Sequence, residues 1–348
     1  VRPHIEFLAS KELRGRSGRE ARIAAEYIRA QFAAAGLKPL FPEESWFQEI
    51  PGSADEEGVR PVIGRNVGGW IEGSDPGLRN EFVIVSAHYD HLGTSDGAIF
   101  RGADDNASGV SMMLEVARRV ASAETRPRRS MVFVGFDLEE RMLWGSRWFA
   151  AHAPWPLEQV KLFVTADMIG RSLGNLPLPA VFVMGSEHAP QLKEALDTVG
   201  APQGLEVARL GIDLIGTRSD YGPFRDRSVP FLFFSTGEHP DYHTPRDVPS
   251  RIDYHKVANV SGLVLRLCTH VANSDIPPEW TDDVGTDLDE ARALNRIANL
   301  LLQAEGDEKL SSVQRLLVSR AEIQTRQILE RGEMTPQERT WRIRMAKL

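Results

Sequence analysis

Residues 83–136 read VIVSAHYDHLGTSDGAIFRGADDNASGVSMMLEVARRVASAETRPRRSMVFVGF, and the order of apolar runs within them decides the fold. Residues 83–85 and 131–136 are short continuous apolar runs, as in strands buried on both faces. Residues 111–120 carry apolar side chains at helical spacing, namely Met112, Met113, Val116 and Val120. A helix between two buried strands predicts one unit of an α/β fold.

The same alternation continues on both sides of this stretch. Further strands are predicted at residues 162–165, 181–184 and 231–234. Helices are predicted at residues 21–36, 190–199 and 257–271, with Gly36 closing the first of them. We therefore expect an α/β fold with a mostly parallel central sheet and helices on both faces.

The character of the chain changes after Pro277-Pro278, where the sequence becomes charged and helical with no strand signal. We predict a catalytic domain at residues 1–276 and a helical C-terminal extension at residues 277–348. The predicted helices of the extension each have one apolar side, which must be buried somewhere. Two interpretations stay open: packing on the catalytic domain, or self-association through these helices.

Composition excludes several classes of protein. The chain has 348 residues and a net charge of −8, with acidic residues spread along its length. This balance argues against nucleic acid or an anionic membrane surface as the main partner. Cys268 is the single cysteine, so an intrachain disulfide and a cysteine-based zinc site are both excluded. No apolar run approaches the length of a membrane span.

The first residues of the chain suggest in which cellular compartment the protein is expected. The chain begins Val1-Arg2-Pro3 rather than with Met, as a chain would after removal of a targeting segment. We expect an exported protein, periplasmic or extracellular, in preference to a cytoplasmic one, and leave the compartment open.

Five clusters of acidic residues and histidines accompany the predicted elements. Most follow a predicted strand, and one precedes the helix at residues 111–120. In chain order they are His88-Tyr89-Asp90-His91, GADDNASG at residues 102–109, Asp137-Leu138-Glu139-Glu140, Asp167, and Tyr242-His243-Thr244-Pro245. Ligands of open α/β sheets bind outside the carboxyl ends of the strands. We therefore expect the five clusters to meet in space.

Imidazoles and carboxylates without a thiol suit zinc or a similar divalent metal. The carboxylates outnumber what one tetrahedral ion needs, and one of them can bridge two ions. Each cluster alone has a plainer interpretation: Asp104 and Asp105 can cap the following helix, and Glu139-Glu140 can be a solvated pair. Spacing does not choose between Asp104 and Asp105 as a ligand. Taken together, the clusters favour a metal centre.

From about His4 to about Asp253 the chain resembles the co-catalytic di-zinc aminopeptidase family of the clan MH zinc exopeptidases. Relatives of that family include glutamate carboxypeptidase II and glutaminyl cyclase. The resemblance rests on the five clusters, of which residues 102–109 are the most specific. It also rests on residues 4–10, 64–67, 145–146 and 219–220.

The resemblance implies two Zn²⁺ ions per chain. It implies five metal ligands, with Asp105 as the bridging one: His88, Asp105, Glu140, Asp167 and His243. It also implies that the peptide bond after Asp105 is cis.

Three further roles follow from the resemblance. Glu139 is implied as the general base, Asp90 as the acid that orients the His88 ring, and Tyr242 as a group that stabilises the oxyanion. For Tyr242 a packing role stays open. Two departures lie near the expected substrate pocket: Tyr221 replaces a frequent His, and residues 141–144 replace a pattern that usually contains Gly-Leu.

The function expected from this resemblance is a zinc metallopeptidase of the aminopeptidase type. It would hydrolyse N-terminal residues from peptide substrates through a di-zinc-bound hydroxide, with Glu139 as general base. Alternatives at the same site are a glutaminyl cyclase-like activity and a carboxypeptidase, for which Arg218 and Arg225 are candidate carboxylate-binding residues. A non-catalytic binding module is the alternative from another class.

Overall fold

The computed structural model describes residues 1–176, 178–286, 288–304 and 310–340. The strands are β1 (Lys38–Pro39), β2 (Phe47–Pro51), β3 (Val62–Ile71), β4 (Phe82–His88), β5 (Gly93–Ser95), β6 (Ala98–Phe100), β7 (Ser130–Phe136), β8 (Val160–Ala166), β9 (Ala180–Met184), β10 (Glu206–Leu210) and β11 (Phe231–Ser235). The α-helices are α1 (Arg2–Leu8), α2 (Arg19–Ala34), α3 (Gly109–Ala121), α4 (Trp144–Ala151), α5 (Pro190–Val199), α6 (Gly222–Arg225), α7 (Tyr254–Asn273), α8 (Leu288–Gln303) and α9 (Ser312–Arg331).

The main sheet has the strand order β1-β3-β7-β4-β8-β11-β9-β10, with β2 also paired to β3. The four central strands β7, β4, β8 and β11 are parallel to one another. Towards one flank β3 is antiparallel to β7, and towards the other β9 is antiparallel to β11. The sheet is therefore mixed, with the expected parallel arrangement at its centre.

Alternate side chains of the central strands enter two separate hydrophobic cores. Val83 and Val85 of β4 join one core, which also holds the buried sides of α1, α2, α3, α5 and α7. Ile84 joins the other, which includes residues of α4, α6 and α8. Successive residues of a strand point to opposite faces, so a fully apolar strand needs cover on both. The expected α/β fold with helices on both faces is confirmed.

The predicted strands and helices of residues 83–271 are present, whereas β1, β2, β3, β5, β6 and β10 were not predicted. β3 contains three glycines and two polar residues, Arg65 and Asn66, which interrupt the apolar run that marks a strand. Leu40 packs closely on Gly68, because a Cβ atom there would lie 2.5 Å from Cδ2 of Leu40. Tertiary contacts therefore fix this strand where its sequence pattern is weak.

Helix α8 packs its apolar side on the sheet. Ala293, Ile297 and Leu301 are buried in the same core as Ala208 of β10. Helix α9 packs against α8 through Ile328, and it leaves Val313 exposed. This arrangement corresponds to the first interpretation of the extension, in which its helices pack on the rest of the chain, while self-association stays a prediction.

Within the described residues, no helix is long and apolar enough to cross a membrane.

Candidate metal centre

The predicted site residues meet at one edge of the sheet. Strands β7, β4 and β8 are adjacent and parallel, so their carboxyl ends lie side by side. His88 ends β4, Glu139 and Glu140 follow β7, and Asp167 follows β8. Asp105 lies in the π-helical turn Ala103–Ser108 that leads into α3. The loop after β11 brings His243 to the same place.

One group of possible ligands surrounds His88, which is buried. Its Nε2 atom lies 3.3 Å from Oδ1 of Asp105, 3.4 Å from Oδ1 of Asp167 and 4.0 Å from Oε2 of Glu139. Burial alone would lower the pKa of His88, but the neighbouring carboxylates Glu139 and Asp167 raise it well above its usual value. Such a cluster is typical of a site that holds a cation.

A second group surrounds Glu140. Nε2 of His243 lies 3.3 Å from Oε2 of Glu140 and 3.1 Å from Oδ2 of Asp105. Nδ1 of His91 lies 2.7 Å from Oε1 of Glu140. His91 belongs to the cluster at residues 88–91 but received no role from the sequence. The carboxylate of Glu140 is thus held between two imidazoles.

Asp105 joins the two groups. Its Oδ1 atom faces His88, and its Oδ2 atom faces His243. Asp104 points elsewhere: its Oδ1 accepts a hydrogen bond from the amide of Gly170, and its Oδ2 lies 3.3 Å from Nε2 of His239. The geometry therefore distinguishes Asp105 from Asp104 as the candidate ligand, a choice that spacing in the sequence left open. The peptide bond between Asp105 and Asn106 is cis, as the resemblance implied.

Asp90 connects His88 to the paired glutamates. Oδ1 of Asp90 lies 3.6 Å from Nδ1 of His88 and accepts a hydrogen bond from the amide of Glu139 at 3.1 Å. Its Oδ2 accepts one from the amide of Glu140 at 3.4 Å. Carboxylates behind metal-ligating histidines commonly fix the orientation of the ring. Here the same carboxylate also holds the backbone of Glu139 and Glu140.

The two glutamates have different electrostatic environments. Burial raises the pKa of Glu139 well above its usual range; His88 opposes this, and Asp167 adds to it. Burial and Asp105 also raise the pKa of Glu140, but the neighbouring His243 and His91 outweigh them and lower it. Adjacent carboxyl groups whose pKa values are pushed apart are suited to different roles.

Three further residues near the site were singled out from the sequence or lie in the segment after Glu140. The Tyr242 ring stacks on His243, with ring centroids 3.8 Å apart. Tyr221 is fully buried, stacks on Phe231, and receives a hydrogen bond from the amide of Arg218. It therefore acts in packing. Met142 is 78% exposed with φ of 62°, so the turn after Glu140 presents an apolar side chain to solvent.

The two candidate carboxylate-binding arginines have acidic neighbours. Arg218 pairs with Glu238 at 3.0 Å, and Arg225 pairs with Asp226 at 2.9 Å. Both arginines are therefore engaged on the protein surface in this conformation.

The donor set fits a divalent metal. In the described part of the chain, only histidines form ion pairs with Asp105, Glu139, Glu140 and Asp167. Nε2 of His243 is buried and makes no hydrogen bond, although oxygens of Asp105 and Glu140 lie 3.1 and 3.3 Å from it. Clustered buried carboxylates are unfavourable unless a cation compensates them. Nitrogen and oxygen ligands without sulfur suit zinc and related ions.

A family model decides the relationship of the chain to known proteins. The model of peptidase family M28 matches residues 66–268, which is more than half of the chain. The chain belongs to peptidase family M28. The matched residues contain all of the ligand candidates, from His88 to His243. The resemblance stated from the sequence is thereby confirmed at the level of the family.

Individual relatives within the family are distant. The chain is 28% identical over 214 residues to aminopeptidase YwaD of Bacillus subtilis, covering 57% of this chain and 43% of that protein. It is 28% identical over 227 residues to glutaminyl-peptide cyclotransferase of Boiga dendrophila, covering 54% and 61% respectively. The chain spans less than half the length of the first curated relatives it matches.

The fold has solved counterparts. The structure of LapA aminopeptidase from Legionella pneumophila matches with a TM-score of 0.61 at 21% identity, covering 79% of this chain and 72% of that one. At this identity the likeness concerns the fold alone. It supports the α/β architecture described above, with its parallel centre and antiparallel flanks.

Proposed function

We propose that this M28 chain is a metal-dependent exopeptidase that removes N-terminal residues from peptides with two zinc ions. The proposed ligands are His88, Asp105, Glu140, Asp167 and His243. One observation carries the proposal: the two oxygens of Asp105 face histidines of two different groups, at 3.3 and 3.1 Å. A carboxylate in that position can bridge a pair of ions.

When bound, such a pair supplies Lewis-acid activation of a water molecule and of the substrate carbonyl. In the proposal, Glu139 accepts the proton of the attacking water and passes it to the leaving amine. A general base works best when its pKa lies near the working pH, and burial raises the pKa of Glu139 from its usual low value. Glu140 has the lowered pKa of a group that stays ionised, which suits a ligand.

The charge around the site supports an aminopeptidase. Four carboxylates surround it, and the net charge of the chain is −8. Two bound zinc ions would balance these four carboxylates, so the attraction of a positively charged free α-amine would come from the net negative charge of the rest of the chain. The candidate arginines of a carboxypeptidase, Arg218 and Arg225, are paired with acids on the surface.

A cyclase is the second candidate, because one of the relatives is a glutaminyl-peptide cyclotransferase. The test is a screen of zinc-loaded protein against free-amine dipeptides, their N-acetyl forms and N-terminal glutaminyl peptides. We expect cleavage of the free-amine dipeptides and no cleavage of the N-acetyl forms. Equal rates on both would refute the aminopeptidase proposal. Cyclisation of glutaminyl peptides without dipeptide cleavage would favour the second candidate.

A further inference from the structure

Arg16 is a fully buried arginine close to the candidate metal centre, and no sequence pattern singled it out. It lies between α1 and α2, and its φ of 47° falls in the left-handed region, which non-glycine residues seldom adopt. Its charge is not paired with a carboxylate within the described part of the chain. The burial of such a group calls for a specific set of hydrogen-bond acceptors.

The acceptors are all backbone carbonyl oxygens. The guanidinium donates at 2.7 to 3.2 Å to the carbonyl oxygens of five residues: Leu8, Tyr89, Arg101, Gly102 and Asp105. Nε makes one of these bonds, and each terminal nitrogen makes two. An arginine has five N–H donors, so every donor of Arg16 has a partner.

These acceptors lie on the two segments that carry the proposed ligands. The carbonyl of Tyr89 immediately follows His88, and the carbonyl of Asp105 belongs to the proposed bridging residue. The backbone of Arg16 adds a further contact, because its carbonyl accepts a hydrogen bond from the amide of His91 at 3.2 Å. Arg16 therefore joins residues 88–91 to residues 101–105 through hydrogen bonds to their backbones.

The packing around Gly102 shows how closely the second segment approaches the guanidinium. A Cβ atom on Gly102 would lie 2.7 Å from Nη2 of Arg16 and 2.6 Å from Cδ2 of His91. The φ of Gly102 is 55°. The loop thus reaches the guanidinium only because this position has no side chain.

The charge of Arg16 persists in this environment. Burial lowers its pKa to about 10, and the nearby carboxylates of Asp105 and Asp247 limit the decrease. The group therefore stays a cation at neutral pH. The rigid, planar guanidinium donates hydrogen bonds in several fixed directions, which a lysine cannot do, and so it can bind several carbonyl oxygens at once.

We propose that Arg16 is a positioning residue of the metal centre: its five hydrogen bonds fix the separation between the segments that carry His88 and Asp105, and thereby set zinc affinity. The proposal rests on the proposed function in one respect, that these segments hold zinc. Arg16 does not touch the metal or substrate, and acts through the backbone of the ligands.

Arg129 offers a matched control. It is 1% exposed and donates to Oε2 of Glu81 at 2.7 Å, to the carbonyl of Val271 at 3.1 Å, and to the carbonyl of Ser274. It directly precedes β7, at the opposite end of that strand from Glu139. Loss of either arginine therefore disrupts a buried network, but only one of these networks touches the ligand segments.

The experiment compares wild type, Arg16→Lys, Arg16→Met, Arg129→Lys and Arg129→Met. Zinc affinity of the folded proteins is measured by competition with a chromophoric chelator, and metal-free stability by thermal unfolding. We expect both Arg16 variants to lose about 10–100-fold in zinc affinity, the range typical of groups that position metal ligands. The Arg129 variants should lose stability and keep wild-type affinity. Since lysine keeps the charge, loss in Arg16→Lys would assign the effect to the hydrogen bonds.

Wild-type zinc affinity in folded Arg16→Lys and Arg16→Met, or an equal loss in the Arg129 variants, would overturn the proposal. If Arg16→Lys does not fold, Arg16→Gln removes three of the five donors and tests the same contacts, and unchanged affinity in that folded variant would count against the proposal. If wild type itself binds no zinc, the proposed function fails instead. Metal-free hydrogen exchange at residues 88–91 and 101–106 then tests Arg16 alone. Faster exchange in Arg16→Lys is expected, and unchanged exchange would overturn the positioning role of Arg16.

Discussion

Nδ1 of His91 lies 2.7 Å from Oε1 of Glu140, closer to that carboxylate than Nε2 of His243, which lies 3.3 Å from Oε2. Either imidazole could therefore be the metal ligand that accompanies Glu140. His243 also reaches Asp105 at 3.1 Å, whereas His91 lies 3.8 Å from it. His91 is buried, while the side chain of His243 is 36% exposed to solvent. This difference favours His243 as a ligand and His91 as the residue that orients Glu140.

The first prediction separates these two histidines. His243→Ala should retain about one zinc equivalent where wild type holds two, because a ligand is lost. His91→Ala should retain two equivalents with about 10–100-fold weaker binding of one, as expected for an orienting group. Elemental analysis after dialysis measures both, with the exposed His255→Ala as control. The opposite pattern would make His91 the ligand.

The second prediction concerns the glutamate pair. Glu139→Gln should keep both zinc equivalents and lose about 10²–10⁴-fold in turnover, because a general base contributes about that factor. Glu140→Ala should weaken metal binding itself. Turnover is measured on a free-amine dipeptide at saturating zinc, and metal content by elemental analysis. Normal zinc binding by both variants would contradict the assignment of the pair.

Sequence reasoning could propose the candidate site residues because each belongs to a pattern. His88, Glu139 and Asp167 follow apolar runs that predict parallel strands, so their meeting place could be inferred before the structure. Arg16 could not be inferred in this way. Its partners are backbone carbonyls, which every residue has, and no sequence signal marks which of them converge.

The flanks of the sheet were missed for a related reason. Strand β3 pairs with β1, β2 and β7, but its glycines and its polar residues Arg65 and Asn66 weaken the apolar pattern. Asn66 is fully buried, and its amide compensates this burial by donating a hydrogen bond to the carbonyl of Gly145, 79 residues away in sequence. Long-range polar contacts of this kind decide structure without leaving a periodic pattern.

The third prediction concerns Asp90. Its carboxylate accepts hydrogen bonds from the amides of Glu139 and Glu140 and lies beside His88. Asp90→Asn replaces one acceptor oxygen with an N–H group that faces another donor. We expect zinc affinity to fall by about 10–100-fold and turnover to fall with it. The exposed Asp96→Asn is the control. Unchanged affinity and turnover in Asp90→Asn would rule out a positioning role for Asp90.

The last prediction concerns the C-terminal helices. A chain that ends at Asp275 keeps every proposed ligand but loses α8, which buries Ala293, Ile297 and Leu301 beside Ala208 of β10. It also loses Arg339, whose guanidinium pairs at 2.7 Å with Asp213, a residue of the predicted catalytic domain. Fully burying one large aliphatic side chain contributes about 1.5–3 kcal/mol, so the truncated chain should be markedly less stable and less soluble.

The same truncation should still bind zinc, because no proposed ligand lies beyond His243 and the described part of the extension carries no histidine. Thermal unfolding and chelator competition on the truncated chain measure the two effects separately. Ile297→Ala in the full chain is the milder control, which should lower the unfolding temperature and leave zinc affinity unchanged. Complete loss of zinc from a folded truncated chain would show that the extension completes the site. It would also show that the predicted boundary at residue 276 is misplaced.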